Sequence, residues 1–261
     1  MNLLFIGDVV GQSGCDYLAS QIYNLKKEYN IDFTIINGEN SAQGNGITPN
    51  SFEQLVQMGA DVVTTGNHCF KRHEVEDLYD IKDILLRPAN YPEGVAGRGV
   101  VVIDLCPVKI AVVNIMGTVY MESLDNPFFK MDEILSEIDT PNIFVDFHAE
   151  ATSEKKAMGF YLQNKVTAVI GTHTHVQTSD EIILNGHTAY ITDAGMTGPE
   201  LSVLGVESDI IINKLKYHTP VKFTESEKPC FINGVVVSFD EKSGKATNIQ
   251  RIIRRKCLNN K

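Results

Sequence analysis

Five apolar runs in this chain each end in a residue able to bind a metal. LLFIGD ends at Asp8, FTIINGEN at Glu39 and Asn40, VVTTGNH at Asn67 and His68, NIFVDFH at His148, and AVIGTHTH at His173 and His175. Short continuous apolar runs read as strands buried on both faces, as in a parallel sheet. In open α/β sheets the side chains just past the carboxyl ends of the strands gather at one edge. The pattern therefore predicts an α/β fold with a metal site along that edge.

Taken singly, each position has a plainer role. An Asp or Asn after a strand commonly forms a turn or caps the next helix, and a lone His there is more often a hydrogen-bonded structural group. Five strand ends supplying carboxylate, carboxamide and imidazole together are not explained that way. His173 and His175 can both reach one centre only if the backbone bends there, and Gly171 ahead of them is expected to permit the bend.

Apolar spacing at Leu18, Ile22, Leu25 and Tyr29 predicts a crossover helix over residues 13–29, and a second helix is expected to start near Asn50. Residues 87–99, with two prolines and three glycines, form a loop. GVVVID and VKIAVVNI read as an antiparallel pair joined through Cys106 and Pro107, and residues 116–127 as a second long loop over the site. Helices are expected near 128–138 and 153–163, the latter with Ser153 as its N-cap. EIILNGHTAYIT has the form of a hairpin about Asn185-Gly186, and residues 193–204 that of a shaped loop. VESDIIINKL, PCFINGVVVSFD and ATNIQRIIRR read as alternating apolar strands.

The 261 residues, 43% hydrophobic and 21% charged, suit one soluble domain spanning residues 1–261. The amino terminus has no basic start and too short an apolar stretch for a signal core or a membrane span, so a cytoplasmic protein is expected. Five cysteines without a C-x-x-C pair indicate neither a disulfide framework nor a zinc knuckle. Cys69 draws interest because it follows His68, although a small buried hydrophobe is the commoner role. A net charge of −10 argues against long nucleic acid as the main partner. The basic run Arg251 to Lys256 reads as the solvated end of a strand. Gly7 to Gly14 follows a strand and opens a helix, but its spacing is wrong for a dinucleotide-binding turn.

The ordered set GD, GEN, GNH, a single His and GTHTH resembles the calcineurin-like metallophosphoesterase superfamily. GDVVG, NGEN, TTGNH, DFHAEATSEK, GTHTHVQTSDE and YITDAGMTGP resemble its bacterial YmdB-like branch over nearly the whole chain. The resemblance implies a four-layer α-β-β-α sandwich holding two metal ions. It departs from the wider superfamily at Val10, where a histidine ligand would stand, and at Glu39, where the bridging Asp would stand. In the YmdB-like pattern Asn40 fills the vacancy. Carried over, Asp8, Glu39, Asn40 and His175 hold one ion, Glu39, Asn67, His148 and His173 hold the other, and Glu39 bridges. An oxygen-rich shell of this kind suits iron or manganese.

The resemblance further implies hydrolysis of small 2′,3′-cyclic and 3′,5′-cyclic nucleotides. The expected mechanism is attack by a metal-bridging hydroxide, and because Asn67 would make the metal contact, the neighbouring His68 is expected to act as general acid to the departing oxygen. Phe70, Tyr91 and Tyr120 are candidates to stack on a base, and Lys71 and Arg72 to steer phosphate. A rival reading is a metal-holding regulatory or RNA-binding protein with slow phosphoesterase activity. Exposed aromatic loops leave a homo-oligomer open, and no membrane partner is expected.

Overall fold

Along the first strand the side chains alternate between two apolar surroundings, Leu3 and Phe5 in one and Leu4 and Ile6 in the other. A two-residue period with both faces apolar is what a strand inside a covered sheet requires. The computed structural model, which describes residues 1–255, places this strand in the interior of a seven-stranded sheet.

In chain order the first half comprises β1 (Asn2–Ile6), β2 (Asp8–Val9), α1 (Gly11–Glu28), β3 (Phe33–Asn37), α2 (Pro49–Gln57), β4 (Val62–Thr64), α3 (Glu76–Ile81), β5 (Val100–Asp104) and β6 (Lys109–Met116). There follow α4 (Pro127–Glu137), β7 (Ile143–His148), α5 (Thr152–Leu162), β8 (Ala168–Thr172), β9 (Ile182–Leu184), β10 (Thr188–Ile191), β11 (Met196–Pro199), α6 (Ser208–Tyr217), β12 (Cys230–Phe239) and β13 (Ala246–Arg255). One sheet runs β2-β11-β12-β1-β3-β4 with β13 beside β12, and the other runs β5-β6-β7-β8-β10-β9. β1, β3 and β4 are mutually parallel, as are β6, β7 and β8.

Three apolar clusters separate four layers. Leu18, Ile22 and Leu25 of α1, with Phe52 and Leu55 of α2, cover Leu4, Ile6, Ile36 and Val63 on the outer face of the first sheet. Phe5, Ile35 and Val62 on its inner face meet Val112, Phe144 and Ile170 of the second sheet. Met131 and Ile134 of α4, with Met158 and Leu162 of α5, cover Val113, Val145 and Phe147 beyond. The order helix, sheet, sheet, helix is the expected α-β-β-α sandwich. Each fully buried Leu, Ile or Phe in it contributes about 1.5–3 kcal/mol.

Local chemistry sets most boundaries. Thr48 and Ser51 form a reciprocal capping box that starts α2 next to the expected Asn50. Asn185 and Gly186, with φ of 49° and 64°, turn the β9–β10 hairpin as expected.

Three local expectations fail. Ser153 is not the N-cap of α5; Ala151 is, without a side-chain bond. Residues 193–204 are not all loop, because β11 lies there in parallel register with β2. VESDIIINKL is no strand, since Ser208–Tyr217 form α6, in which three consecutive isoleucines break strict alternation and no residue is buried. The basic run is the end of β13, with Arg251, Arg254 and Arg255 paired to Glu181, Glu28 and Glu200. Lys256 and Cys257 lie outside the described residues. Among the described residues no helix is long and apolar enough to cross a membrane.

Candidate metal centre

Parallel strands deliver their carboxyl ends to one side, and here two sheets do so toward a common cleft. Asp8 follows β1, Glu39 and Asn40 follow β3, and Asn67 and His68 follow β4, all from the first sheet. His148 ends β7, and His173 and His175 follow β8, from the second. The single edge expected from sequence is thus the meeting of two.

Contacts across that meeting are short. Asn67 Oδ1 lies 2.9 Å from His148 Nε2, Glu39 Oε2 lies 3.4 Å from the same nitrogen, and His173 Nδ1 is 3.1 Å from it. Nearby, His175 Nε2 is 3.6 Å from Asp8 Oδ1 and 3.2 Å from Asn40 Nδ2, which itself donates to Glu39 Oε1 at 3.1 Å. All seven ligands expected from sequence therefore fall in two groups that share Glu39. Asp8, Glu39, Asn40 and His148 are fully or almost fully buried.

Several features fit cations. With metal–ligand distances of about 2.0–2.2 Å, neighbouring donors of a coordination shell lie about 3 Å apart, which is the spacing seen here. Asp8 Oδ1 and His175 Nδ1 are buried without a hydrogen-bond partner, an arrangement that otherwise costs about 1–3 kcal/mol per group. Two imidazole nitrogens, on His148 and His173, face each other where only one can hold a proton. Donors of Glu39, His148 and His173 lie within 4.8 Å of one another. Asn40 turns its amide nitrogen to His175, so ligation by its oxygen requires a half-turn of the carboxamide.

Electrostatics points the same way. Burial raises the carboxyls of Asp8 and Glu39, yet the imidazoles of His175, His148 and His68 outweigh it and hold both below the usual range. Burial opposes charge on His148, but Glu39 and Asp8 overcome it and push the imidazole up to about 9. Protons on these rings occupy positions that a cation would take.

A supporting layer sets the geometry. Thr172 Oγ1 donates to Asp146 Oδ1 at 2.7 Å and sits 2.9 Å from His148 Nδ1. With its only hydrogen spent on Asp146, Thr172 must accept from Nδ1–H, which directs the Nε2 lone pair into the cleft. His173 Nε2 lies 3.1 Å from Glu150 Oε2, leaving Nδ1 to face the cleft. Gly66 is required because a Cβ there would stand 2.3 Å from Glu39 Oε2 and His148 Nε2.

The bend after β8 differs from expectation. Gly171 does not supply it; its role is close approach, since a Cβ would lie 1.8 Å from Thr192 O. The histidines take the strain themselves, with φ of 103° at His173 and 64° at His175. Lys155 and Asp193, each 1% exposed, hold this turn. Lys155 Nζ donates to Thr172 O and to Asp193 Oδ2, both at 2.7 Å, and Asp193 Oδ2 also accepts from Thr174 N and Oγ1. Sequence reading overlooked both, although each falls in a motif, DFHAEATSEK or YITDAGMTGP, that it had singled out.

The remaining candidates sort clearly. His68 keeps Nδ1 at 3.1 Å from both Glu39 Oε1 and Asn40 Oδ1, its ring about a quarter exposed. Phe70 packs against Tyr79 and Tyr91, while Tyr120 is 89% exposed. Arg72 donates to the carbonyls of Asn45 and Gln43 and so braces a loop, whereas Lys71 is exposed. Cys69 is buried, and desolvation pushes its thiol up to about 12.

A model of the YmdB-like protein family matches residues 4–252. A 2′,3′-cyclic-nucleotide 2′-phosphodiesterase from Bacillus subtilis (strain 168) is 47% identical over 97% of this chain and 97% of its own. The crystal structure of a novel phosphatase from Mycoplasma pneumoniae superposes with a TM-score of 0.93 at 32% identity, covering 98% of this chain and 93% of that one. A calcineurin-like phosphoesterase from Bacillus subtilis shares the fold at a TM-score of 0.58 and 11% identity, covering 98% of this chain and 90% of that one.

Proposed function

We propose, for a chain that belongs to the YmdB-like protein family, a metal-dependent phosphodiesterase activity on 2′,3′-cyclic nucleotides, with 3′,5′-cyclic nucleotides as a further substrate class. The observation that carries the reading is the pair of donor groups sharing Glu39 across two sheets, with Asp8 Oδ1 buried and without a hydrogen-bond partner. The name of the Bacillus subtilis relative supports the substrate class.

Asp8, Glu39, Asn40 and His175 would hold one cation, and Glu39, Asn67, His148 and His173 the second. Bound cations supply Lewis acidity, neutralising phosphate charge and bringing water to nucleophilic strength near neutral pH. An oxygen-rich set without thiolate favours iron or manganese.

The chain's own contribution is orientation and one proton. His68 Nδ1–H is held by Glu39 Oε1 at 3.1 Å, and its backbone N–H donates to Glu39 Oε2 at 3.1 Å. The ring is thereby fixed, and in its imidazolium form Nε2–H would donate its proton to the ribose oxygen that leaves as the cyclic ester opens, returning the ring to the neutral Nδ1–H form.

The test is His68→Asn in manganese- or iron-loaded protein. Turnover of 2′,3′-cyclic AMP is expected to fall about 10²- to 10⁴-fold with metal content preserved. Equal loss of both would contradict the acid role, and a full metal complement without turnover of any phosphoester in the parent protein would favour a regulatory protein.

A further inference from the structure

The structure has a cavity of about 570 Å³ that adjoins Asn40, and we propose that it is the nucleobase subsite of the centre described above, a proposal that rests on the phosphodiesterase reading. Asn40 faces both ways, contributing to the cavity wall while contacting Glu39, His68 and His175. A molecule whose phosphate lies at the metal cradle therefore has its next group at the mouth of this space. A volume in the 300–1,000 Å³ range typical of small-molecule sites accommodates a nucleoside.

The lining matches a base. Val10, Val206, Val221 and Phe223 form apolar wall, while Gln43 and Asn45 bring carboxamides. Among the described residues neither carboxamide has a hydrogen-bond partner in the protein, although the backbone carbonyls of both are held by Arg72. An aromatic base has two apolar faces and a polar edge, and carboxamides are suited to pairing with such an edge. Val10 acquires a role here: where the wider superfamily would place a metal-binding histidine, this chain has an apolar wall.

Both sides of the cavity are built without need of closure. The turn at Gly205 lies against Val10 so tightly that a Cβ would come within 2.4 Å of Val10 Cγ1. Ser226 N donates to Gly205 O at 2.9 Å, and Glu207 N donates to Thr224 O at 3.0 Å. The Glu225 carboxylate accepts from Ser13 N and Ser13 Oγ at the start of α1, tying that segment to the first sheet's side of the cleft. On the opposite side the 42–46 turn is closed by Ala42 N donating to Gly46 O at 3.0 Å.

The experiment uses the full chain loaded with manganese and two variants, Val221→Trp, which fills the cavity from a half-buried coil position, and Gln43→Ala, at an exposed position whose side chain bonds nothing. Binding of adenosine, which carries no phosphate, is measured by calorimetry or saturation-transfer NMR. Turnover is measured on 2′,3′-cyclic AMP and on bis(4-nitrophenyl) phosphate, an ester without a base. Adenosine is expected to bind the parent protein and to weaken about tenfold or more in Val221→Trp, and measurably in Gln43→Ala. The ratio of kcat/KM for the nucleotide to that for the base-free ester is expected to fall by a similar factor. Proportional loss on both esters, or adenosine binding that is absent or unaltered by either variant, would overturn the subsite. Variant-sensitive adenosine binding without turnover of either ester would uphold the subsite and remove the catalytic reading.

Discussion

His148 shows how a ligand is made from its surroundings. Burial pushes the Asp146 carboxyl up to about 6, against hydrogen bonds from Thr64 and Thr172, so above that pH it is a carboxylate that can only accept. That acceptor fixes the Thr172 hydroxyl, which fixes the His148 tautomer, which aims Nε2 at the cleft. Asp146→Asn keeps the shape but can donate to Thr172, freeing the hydroxyl to donate to Nδ1 and moving the ring proton to Nε2. Manganese affinity, measured by titration, is expected to fall about 10- to 100-fold with secondary structure intact. An unchanged affinity would show that the tautomer is set otherwise. Asp146 itself was not legible as functional, because a carboxylate two residues before a strand-end histidine looks like any strand residue until Thr172 on the neighbouring β8 and Thr64 on β4 of the facing sheet are seen to bond it. His148, by contrast, was readable because a strand's end is visible in the chain itself.

The turn after β8 is the element on which two ligands depend. Its strained histidines are held by a buried ion pair whose partners come from α5 and the segment after β10. Lys155→Met leaves Asp193 as an uncompensated buried charge, which is expected to lower unfolding free energy by about 3–5 kcal/mol in urea denaturation. A loss below about 1 kcal/mol would mean the pair does not hold the turn. Gly66→Ala acts differently, through a Cβ aimed into Glu39 and His148; folding should survive while bound metal and activity are lost together. Elements with strong local signals, such as α1, α2 and the β9–β10 hairpin, were legible because spacing, capping and turn residues agree. α6 was not, since an exposed helix bearing Ile210, Ile211 and Ile212 has no buried face to impose a helical period on the sequence. β11 was hidden because Met196–Pro199 become strand only through pairing with β2 and β12.

Two sheets brought face to face turn five strand ends into one cleft, and the sequence revealed the ends but not that they belong to two sheets. Strand order depends on pairings over long separations, β1 with β12 among them, that no local pattern encodes. Concentrating Asp8 and Glu39 in this buried cleft has a consequence for the entire fold. Metal that binds only the native state should stabilise it, by about 2.7 kcal/mol at a free concentration one hundred times Kd, readable as a rise in Tm. That stabilisation should depend on pH. Because the acidic cleft pushes His148 up to about 9, a cation must displace its proton, and affinity should fall by about tenfold per unit as pH drops below that value. A pH-independent affinity would contradict the competition. The most direct test of the shared cradle is anomalous diffraction from manganese-loaded crystals. Two peaks about 3.5–4 Å apart are expected, with Glu39 between them, one beside Asp8 and His175 and the other beside His148 and His173. A single peak, or none at Glu39, would contradict the account.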